Sequence, residues 1–557
     1  MIQMRKIEVA ILLSIILYMI IFMYYPLSKV IVDAFINEHG ITLEYFLILF
    51  RSSTVISAIF FSFWIAIIST IFSVILGVPL AYILTKYDFK GKGIFTALIM
   101  VPFVLPGIVV GFAFLTLYGT YGYFTQLFYF LTGHRIILGR GIPGILLAHI
   151  FYNAPMVALI TTSVWRRIDP EIEESAEILG SKGFYKFIRI ILPLIYPGIL
   201  SAAVLTFIFC FTSFEIVLLL GGPFYRTIEV QIYSYYLTFF DFNLAAALAF
   251  LQIIFISIMV FIYLKVVENV TQIRKIGKTG VIRTKSLFKG VLNRNKVDII
   301  LAVYLILFLV FMVSPLIAIF LSAFYDPITG RYTLQGWYSL FSTKYNTYLG
   351  AAPIVAPINS ILYSIFAGTL TLILSIATAY QLWLRKRMSI IFGVTIFIPV
   401  AVSRITIGLG IISAFGPLGI LATDPRPLII IAHTFIAYPF STRALLNGLY
   451  KLDPEILDAA KVLGASTAQR IKKIDIPLIA PSIALAVALA FATSLGEFAS
   501  TTLLYRGSYA TLTVLLYLMV AGRKFITAGA AALLLIFLSF VTFLIILKTG
   551  EELSSGF

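Results

Sequence analysis

The sequence repeats one polar stretch, Asp169-Pro-Glu-Ile-Glu-Glu-Ser-Ala-Glu-Ile-Leu-Gly180, as Asp453-Pro-Glu-Ile-Leu-Asp-Ala-Ala-Lys-Val-Leu-Gly464, 284 positions later. The register continues without a gap, and 12 of the 30 positions from Asp169 to Gly198 are identical in the second copy. Both copies lie between long apolar runs, so each half of the chain offers the same surface helix on the same side of a membrane. Two copies of one surface helix predict a partner that is itself twofold.

The composition predicts an all-α polytopic membrane protein. Hydrophobic residues make up 61% of the 557 residues and charged residues 12%, with a mean hydropathy of +1.04, whereas soluble domains contain about 45–50% apolar residues. A β-barrel would show short alternating segments instead of long apolar runs. The single cysteine, Cys210, excludes an intrachain disulfide and a C-x-x-C metal or redox motif.

The apolar runs predict about 12 transmembrane helices, arranged as two parallel six-helix repeats. The runs cover residues 8–32, 55–84, 94–118, 142–165, 189–220 and 243–264 in the first half, and 298–322, 359–384, 389–415, 427–449, 476–503 and 526–547 in the second. We therefore predict a first transmembrane domain at 1–264, a basic linker at 265–296 and a second transmembrane domain at 297–557. The first run is too long for the core of a signal peptide and is expected to remain as a span.

The distribution of Lys and Arg predicts a multi-pass protein of the cell (plasma) membrane with both termini in the cytoplasm. In this orientation the cytoplasmic segments contain 28 of the 41 Lys and Arg, in keeping with the positive-inside rule. Both copies of the repeated stretch then lie in the cytoplasm as well. The net charge of +17 reflects this orientation and does not indicate a nucleic-acid partner. The linker, with nine Lys and Arg against Glu268, is either a segment attracted to anionic lipid or a regulatory element.

Each copy of the repeated stretch predicts a short amphipathic helix. It begins with an Asp suited to the N-cap, a Pro suited to the first helical position and a Glu that favours the helix dipole. Apolar residues follow at i, i+4 and i+7, and a final Gly suits the left-handed conformation that ends a helix. The predicted apolar stripes are Ile172, Ala176 and Leu179, and Ile456, Ala460 and Leu463. Such a stripe packs either on the protein's own helix ends or in the groove of a partner.

The repeated stretch resembles the cytoplasmic EAA loop of ABC importer permeases, which has an acid, two small residues, a central Gly and a trailing Ile-x-x-Pro. Glu174-Ser175-Ala176 with Gly180 fits this pattern, and so does Asp458-Ala459-Ala460 with Gly464, although Ser175 and Asp458 depart from E-A-A. Two such domains fused in one chain are similar to the branch that includes ferric-iron and thiamine permeases. The resemblance implies that each loop helix docks on a separate ATP-binding subunit and transmits its closure to the pore.

The resemblance also implies the coupling residues and the partners. The coupling residues are expected to be Asp169, Pro170, Glu171, Glu174, Ser175, Ala176, Leu179 and Gly180 in the first loop, and Asp453, Pro454, Glu455, Asp458, Ala459, Ala460, Leu463 and Gly464 in the second. The sequence contains no Walker A pattern, so ATP and Mg are expected on two partner ATPase subunits, and the chain itself is expected to bind no cofactor and to be no enzyme. An external solute-binding protein and the lipid bilayer are the other expected partners.

Three ionisable residues inside the predicted spans are candidate pathway or gate residues. Glu215 and Glu497 follow the equivalent prolines Pro197 and Pro481 by 18 and 16 residues, which places both roughly 24–27 Å along their helices, toward the outer side. Charged groups in apolar spans are costly and therefore indicate function. Two such carboxylates attract a cation or form a gate, or they are hydrogen-bonded within the bundle. Arg404 is the expected ion-pair partner of one of them, or it lines the pathway.

Several other residues are singled out by the repeat. The equivalent histidines His149 and His433 are expected to be hydrogen-bonding packing residues, and no metal site is predicted. The outer segments 221–229 and 504–512 are candidates for contact with a solute-binding protein, or ordinary solvated loops. Prolines and glycines interrupt the third and ninth runs, either for close helix packing or for a hinge; they are Pro102, Pro106, Gly107, Gly111, Pro399, Gly408 and Gly410.

Together these features favour the membrane subunit of an ATP-driven importer. The alternative is a secondary active transporter, which can also have six plus six parallel repeats. A secondary transporter has no need for paired amphipathic loops, and an embedded enzyme would require a clustered nucleophile, base or metal set. The intramembrane carboxylates favour a cationic solute such as thiamine, with ferric iron next and an oxyanion or phosphonate as a further alternative.

Overall fold

The computed structural model describes residues 13–181, 183–273, 284–326, 330–384, 399 and 402–554, most of which are helical. Ten helices in these ranges are long and apolar enough to cross a membrane, or eleven if the bent pair Ile471–Leu478 and Ala480–Leu495 forms one span. The predicted all-α polytopic class is thereby confirmed. Residues 399 and 402–415 of the ninth predicted run, 389–415, are described, and they include the short helix Arg404–Phe415.

The first half begins with a helix over Leu13–Phe35, which contains a π-helical segment at Ile20–Tyr24. A second π-helical segment, Phe187–Ile191, leads into the fifth span, and a 3-10 turn covers Val101–Phe103. The α-helices are α1 (Tyr25–Phe35), α2 (Glu44–Arg51), α3 (Ser53–Lys86), α4 (Lys92–Met100), α5 (Gly107–Tyr118), α6 (Tyr123–Thr132), α7 (Gly141–Trp165), α8 (Pro170–Ile178), α9 (Gly183–Lys186), α10 (Leu192–Phe211), α11 (Glu215–Leu220), α12 (Ile228–Leu237) and α13 (Phe242–Ile273).

The second half repeats this order. A π-helical segment, Ile471–Asp475, again precedes the fifth span, and 3-10 turns cover Gly416–Leu418 and Gly507–Tyr509. The α-helices are α14 (Leu287–Leu292), α15 (Lys296–Ser322), α16 (Gln335–Leu340), α17 (Val355–Leu384), α18 (Arg404–Phe415), α19 (Ile420–Thr423), α20 (Arg426–Leu449), α21 (Pro454–Val462), α22 (Thr467–Arg470), α23 (Ile476–Leu478), α24 (Ala480–Leu495), α25 (Ala499–Leu504), α26 (Leu512–Ala521) and α27 (Phe525–Ser554).

The described strands are three pairs of two residues each. β1 (Ile36–Asn37) pairs with β2 (Gly40–Ile41), and β5 (Tyr325–Asp326) pairs with β6 (Arg331–Tyr332), both antiparallel. β3 (Tyr87–Asp88) pairs in parallel with β4 (Lys285–Ser286), although β4 lies 198 positions after β3 in the sequence. This third pair therefore fastens the segment between the halves to the end of α3.

The third predicted run is two helices, because its prolines remove backbone donors from the middle of the run. α4 ends at Met100, and α5 begins at Gly107 after the N-cap residue Pro106. In the second half the described part of the corresponding run is α18, which begins at Arg404 after its N-cap residue Ser403, whose hydroxyl accepts from Thr406 N at 3.2 Å. The pattern Pro102–Gly107–Gly111 thus corresponds to Pro399–Arg404–Gly408 at a constant shift of 297 positions.

Each half packs its first span on the short central helix of the other half. α1 lies against α18, and α15 lies against α5. The approach of α1 to α18 is close, because a Cβ atom added at Gly410 would lie 2.8 Å from the Pro26 carbonyl oxygen. Likewise, a Cβ at Gly408 would lie 3.1 Å from Ser500 Cα. These contacts favour close packing as the reason for the glycines of α18.

The predicted linker is helical at its start, and its described end packs on the first half. α13 continues to Ile273, nine residues beyond the predicted end of the first domain, and residues 274–283 lie outside the described ranges. β4 and α14 follow, and Leu287 packs in an apolar cluster with Ile83 and Tyr87 of the first half. The described end of this segment is therefore attached to the first half before α15 enters the second.

Candidate functional site: two loop helices and a central charge cluster

The repeated stretch forms two short helices, α8 and α21, which we call loop helix 1 and loop helix 2. Their N-caps form as expected: Asp169 Oδ1 accepts from Glu171 N at 3.0 Å, and Asp453 Oδ1 accepts from Glu455 N at 2.9 Å. The prolines Pro170 and Pro454 occupy the first helical positions, where no N–H is required. Each loop helix is therefore specified locally by its own sequence.

Both loop helices end in the same glycine turn. Gly180 has φ +86° and Gly464 has φ +77°, the left-handed region that side chains other than glycine adopt at a cost. The next backbone N–H reaches back five residues in each case, from Ser181 to the Ala176 carbonyl at 2.9 Å and from Ala465 to the Ala460 carbonyl at 3.0 Å. This is the Schellman arrangement, which satisfies the last carbonyls of a helix.

The buried face of each loop helix differs from the predicted stripe. In helix 1 the buried positions are Glu173 and Ala176, and in helix 2 they are Leu457 and Ala460. Of the two predicted stripes only Ala176 and Ala460 are buried against the protein itself, whereas Ile172 and Leu179, like Ile456 and Leu463, are exposed and free to contact a partner. Leu179 is the C-cap residue, with ψ 9°, and the glycine turn leaves its side chain outside the regular helix.

The exposed face contains the other predicted coupling residues and an apolar pair. Glu171, Glu174 and Ser175 are exposed in helix 1, as are Glu455, Asp458 and Ala459 in helix 2. At the end of each helix two large apolar side chains project outward, with exposed fractions of 86% for Ile178, 86% for Leu179, 87% for Val462 and 86% for Leu463. The two pairs occupy equivalent positions in the repeat. They are the feature that the two loops share most closely.

Loop helix 1 is attached to the body by ion pairs through Glu173, a residue that the sequence interpretation missed. Lys86 Nζ lies 2.6 Å from Glu173 Oε1, and Lys186 Nζ lies 3.7 Å from Oε2. Trp165 Nε1 also donates to Glu173 Oε1 at 3.4 Å. Lys186 binds Glu177 at 2.6 Å too, and this bond lowers the pKa of the Glu177 carboxyl. The sequence signal that could have revealed Glu173 is a difference between the two copies, because the equivalent residue in the second copy is the apolar Leu457.

Loop helix 2 is attached by apolar contacts instead. Leu457 packs in a cluster with Leu449, Leu452 and Ile479. The counterpart of Lys186 is Arg470, whose Nε lies 3.3 Å from the buried Asp475 and whose guanidinium lies 5.8 Å from the centre of the Trp383 ring. The two loops therefore present the same outer surface on different supports.

The structure brings the three predicted intramembrane charges together. Arg404 Nη1 lies 3.6 Å from Glu215 Oε1, and Arg404 Nε lies 3.8 Å from Glu497 Oε2. Each carboxylate is at a break between a long helix and a short one: Glu215 begins α11, and Glu497 lies between α24 and α25. One ion-pair partner is expected for Arg404 from the sequence. In the structure Arg404 lies between both carboxylates and links the two halves.

Local contacts position the two carboxylates differently. Glu497 Oε1 accepts from Ser500 N at 2.8 Å and from Ser500 Oγ at 3.1 Å, as a cap of α25. Glu215 lies against Gly107, where an added Cβ would be 3.1 Å from Glu215 Oε2. Gly107 is the repeat counterpart of Arg404, so the first half has a glycine where the second has the guanidinium.

Four aromatic rings accompany the cluster of Glu215, Arg404 and Glu497. The buried rings of Phe214 and Phe498, which adjoin the two carboxylates in sequence, are stacked with centroids 5.8 Å apart and planes 19° apart. Tyr233 lies 5.3 Å from Phe214, and its repeat counterpart Tyr517 lies 5.4 Å from Phe498. These four rings form a symmetric row across the contact between the halves, which we call the aromatic row.

A third carboxylate near Arg404 was assigned wrongly. Glu229 was expected in an outer segment, but it lies in the first turn of α12 with an exposed fraction of 1%. Gln252 Nε2 donates to Glu229 Oε1 at 2.9 Å. Within that segment Phe224 is exposed, whereas Thr227 and Ile228 turn back into the protein. The Ile228 N–H donates to Ser62 Oγ at 2.9 Å, just as Leu512 N–H donates to Ser360 Oγ at 2.7 Å in the second half.

The two histidines have packing roles. His433 bonds Ser494 Oγ and Thr501 Oγ1, both at 2.7 Å, and His149 bonds Ser69 Oγ at 2.9 Å. Neither lies in a group of three potential metal ligands anywhere in the part of the chain that the structure describes. The prediction that these residues are hydrogen-bonding core residues is confirmed.

Comparison with known proteins gives a family. Residues 73–271 and 369–549 each match the family described as binding-protein-dependent transport system inner membrane component. The chain is 27% identical over 506 residues to the thiamine transport system permease protein ThiP of Haemophilus influenzae, with 89% of each chain covered. It is 26% identical over 510 residues to the ferric transport system permease protein FbpB of Actinobacillus pleuropneumoniae, with 88% of this chain and 71% of the relative covered.

Among solved structures, the chain is similar to a bacterial ABC transporter involved in the import of the acidic polysaccharide alginate. The TM-score is 0.42 at 21% identity, over 50% of this chain and 98% of that one. A second structure of an alginate transporter, in complex with its alginate-bound periplasmic protein, has a TM-score of 0.41 at 22% identity.

Proposed function

The chain belongs to the family of binding-protein-dependent transport system inner membrane components, and on this premise we propose that its two loop helices dock on two separate ATP-hydrolysing subunits. The chain is the permease subunit of an ABC importer, with two permease domains fused in one polypeptide. ATP and Mg would be bound by the partners, and this chain would contribute the conduit. The membership leaves no support for the alternative of a secondary active transporter.

The observation that carries the docking proposal is the equal exposure of the apolar pairs Ile178–Leu179 and Val462–Leu463. Large apolar side chains outside the membrane mark surfaces that bind a partner. These pairs adjoin polar helices that lie outside the candidate spans, so lipid does not account for them. Because they recur at the same repeat positions, two copies of one subunit are the occupants that fit them.

The charge distribution supports a cytoplasmic position for both loops and both termini. The segments beside the loops are rich in Lys and Arg, which collect on the cytoplasmic side of the cell membrane. An external solute-binding protein would then meet the opposite face, in keeping with the family's description. That face includes the exposed Phe224 and the exposed end of α6.

The solute that the site supports best is a small organic cation such as thiamine, with ferric iron next. Relatives of both kinds cover most of this chain at similar identity. The charges at the centre favour a cation, since Glu215, Glu229 and Glu497 approach a single Arg404. An organic cation also suits the aromatic row, because aromatic faces attract cations.

The docking proposal is tested by purifying the chain with a tagged ATPase subunit after Ser replaces Ile178, Leu179, Val462 and Leu463. We expect the quadruple variant to lose the ATPase, because burying each such side chain stabilises an interface by about 1.5 kcal/mol or more. The matched control is Phe130→Ser with Leu131→Ser. This pair is also exposed, but it lies in α6, which precedes the end of the 25-residue helix α7 that is opposite loop helix 1. Retention of the ATPase by the quadruple variant would refute the docking proposal.

A further inference from the structure

Arg404 lies inside the protein and yet remains accessible. Of its side-chain surface 47% is exposed, whereas the adjoining Glu215 and Glu497 are only 8% and 1% exposed. We infer that an exposed side chain between two buried carboxylates faces a space inside the protein and is not packed in a core. The space lies where the two halves meet, because the guanidinium contacts Glu215 of the first half and Glu497 of the second.

The contacts of Arg404 are those of a loosely held cation. The nearest N–O separations, 3.6 and 3.8 Å, exceed the 2.7–2.9 Å of a charge-assisted hydrogen bond. Among the described residues, Glu215 Oε1 and Glu497 Oε2 have no hydrogen-bond partner. The guanidinium therefore balances their charge without forming the bidentate pair that fixes arginine in structural sites.

Buried acceptors without partners surround the same space. Glu229, a third carboxylate near enough to interact with Arg404, leaves its Oε2 without a hydrogen bond in the described part of the chain. The amide of Gln252, which donates to Glu229, leaves its Oε1 without one as well. Buried polar atoms of native proteins are usually paired with protein groups, ordered water or a ligand. All of these free atoms are acceptors, which a cationic or donor ligand satisfies.

The aromatic row supplies the second wall. Phe214 and Phe498 are buried, whereas Tyr233 and Tyr517 are partly accessible and lie close enough to interact with each other. Carboxylates beside aromatic faces are the chemistry that recognises organic ammonium and related ring cations. The Phe214–Phe498 stack joins the two halves beside Glu215 and Glu497.

We propose that Arg404 is a tethered substitute for the transported solute: it balances Glu215 and Glu497 while the aromatic row is closed, and an organic cation replaces it when the halves separate. The carboxylates Glu215, Glu229 and Glu497 then hold the solute, and the separated rings contact its apolar part. This inference rests on the proposed function, since it assumes that the contact between the halves is the pathway.

The sequence repeat supports an exchange role. A guanidinium in both halves would give each carboxylate its own partner, but the first half has Gly107 at the position of Arg404. One arginine is thereby shared by two carboxylates of different halves. When the halves move apart, it can stay with only one of them, and the other carboxylate is left for the solute.

The test measures binding to the purified full chain in nanodiscs, without ATPase or binding protein. The probes are thiamine and tetraethylammonium, and the uncharged pyrimidine alcohol fragment of thiamine is the neutral comparison. We expect Arg404→Gln to bind at least one of the two cations about tenfold more tightly than the unchanged chain, because the competing internal cation is gone. Arg404→Lys keeps the charge and should bind as the unchanged chain does.

The matched control is Arg426→Gln, which removes an arginine that is also ion-paired, to Asp424 at 2.8 Å, but lies on the surface. It should leave cation binding unchanged. A further variant, Glu215→Gln in the Arg404→Gln background, should lose the gain. If Arg404→Gln does not fold, Glu229→Gln is compared with the unchanged chain instead. This variant loses one carboxylate of the proposed site and is expected to bind the cations more weakly.

Equal affinity of Arg404→Gln and the unchanged chain for both cations would overturn the inference, and so would an equal gain for the neutral fragment. Because no ATPase is present, the result is independent of loop docking. Retention of the ATPase by the quadruple loop variant together with a positive binding result would refute the proposed coupling only. Loss of the ATPase from that variant together with a negative binding result would refute the exchange site only.

Discussion

The Tyr87 hydroxyl donates a 2.7 Å hydrogen bond to Asp298 Oδ1, although 211 positions separate the two residues. Tyr87 ends the second span of the first half, and Asp298 begins the first span of the second half. β3 and β4 pair beside this bond, and Lys86, the neighbour of Tyr87, binds Glu173 of loop helix 1. The described part of the connection between the halves is therefore fixed to the base of loop helix 1.

Gly290 leaves room for the hydrogen bond between Tyr87 and Asp298 because it has no side chain, and this gives a first prediction. A Cβ at Gly290 would lie 2.0 Å from Asp298 Oδ2, so Gly290→Ala must displace the carboxylate from Tyr87. We expect a loss of about 1–3 kcal/mol in stability, read as a lower thermal midpoint, together with faster proteolysis of the segment before Lys285. Gly93→Ala is the control, because a Cβ there meets nothing within 4 Å. Equal midpoints for the two variants would contradict this account of Gly290.

A second prediction concerns the support of loop helix 1. Glu173→Ala leaves Lys86 without its 2.6 Å partner and removes a contact to Lys186. Because both carboxylate and ammonium are mostly buried, we expect a loss of about 2 kcal/mol, measured by thermal unfolding in detergent. Glu174→Ala, the same change at the exposed neighbour, should have little effect on the midpoint. A Glu173 variant as stable as the Glu174 variant would show that the ion pairs do not anchor the helix.

The glycine turns give a third prediction, which separates folding from docking. Gly180→Leu with Gly464→Leu places side chains in open space, since a Cβ at either position meets nothing within 4 Å. We expect a cost of about 1–2 kcal/mol per site from the left-handed backbone and the loss of the bound ATPase. Gly419→Leu has the same conformation, with φ +71°, and the same open surroundings away from the loops. It should lose stability but keep the ATPase.

If the Gly419 variant loses the ATPase as well, backbone strain and not a blocked surface explains the effect. Retention of the ATPase by the double variant, at a normal yield, would remove the glycine turns from the docking surface. Thermal unfolding gives the folded fraction of each variant. ATPase binding is then compared at equal folded fraction, which separates a loss of folding from a loss of docking.

The sequence determined the spans and the loops because both are local. Runs of apolar residues set the candidate spans, and the Asp-Pro start and the Gly end set the bounds of loop helices 1 and 2. The ends of the predicted stripes are not buried in the protein itself, because Leu179 and Leu463 fall on the cap turn, where a periodicity of 3.6 no longer applies. The pairing of Arg404 with both carboxylates depends on how two halves meet, which periodicity within one half does not contain.

Glu173 and Glu229 were missed for a different reason. Each is an acid in one half whose repeat partner is not an acid, Leu457 and Thr513 respectively. A search for what the halves share emphasises Asp169 and Gly180 and passes over such differences. In this protein Glu171, Ile172 and Leu179, which recur in the second loop, are exposed, whereas the non-recurring Glu173 supports loop helix 1 and the non-recurring Glu229 is the third carboxylate of the central cluster.

The histidines provide a fourth prediction with its control inside the chain. His433 bonds with both ring nitrogens, to Ser494 and Thr501, whereas His149 bonds only Ser69 among the described residues and leaves Nε2 without a partner. Replacing His433 by Ala strands two buried hydroxyls and replacing His149 strands one. We therefore expect His433→Ala to cost about 1–2 kcal/mol more than His149→Ala. The thermal midpoints of the two purified variants measure the difference, and a lower midpoint for His149→Ala would mean that the bonds of His433 do not stabilise the second half.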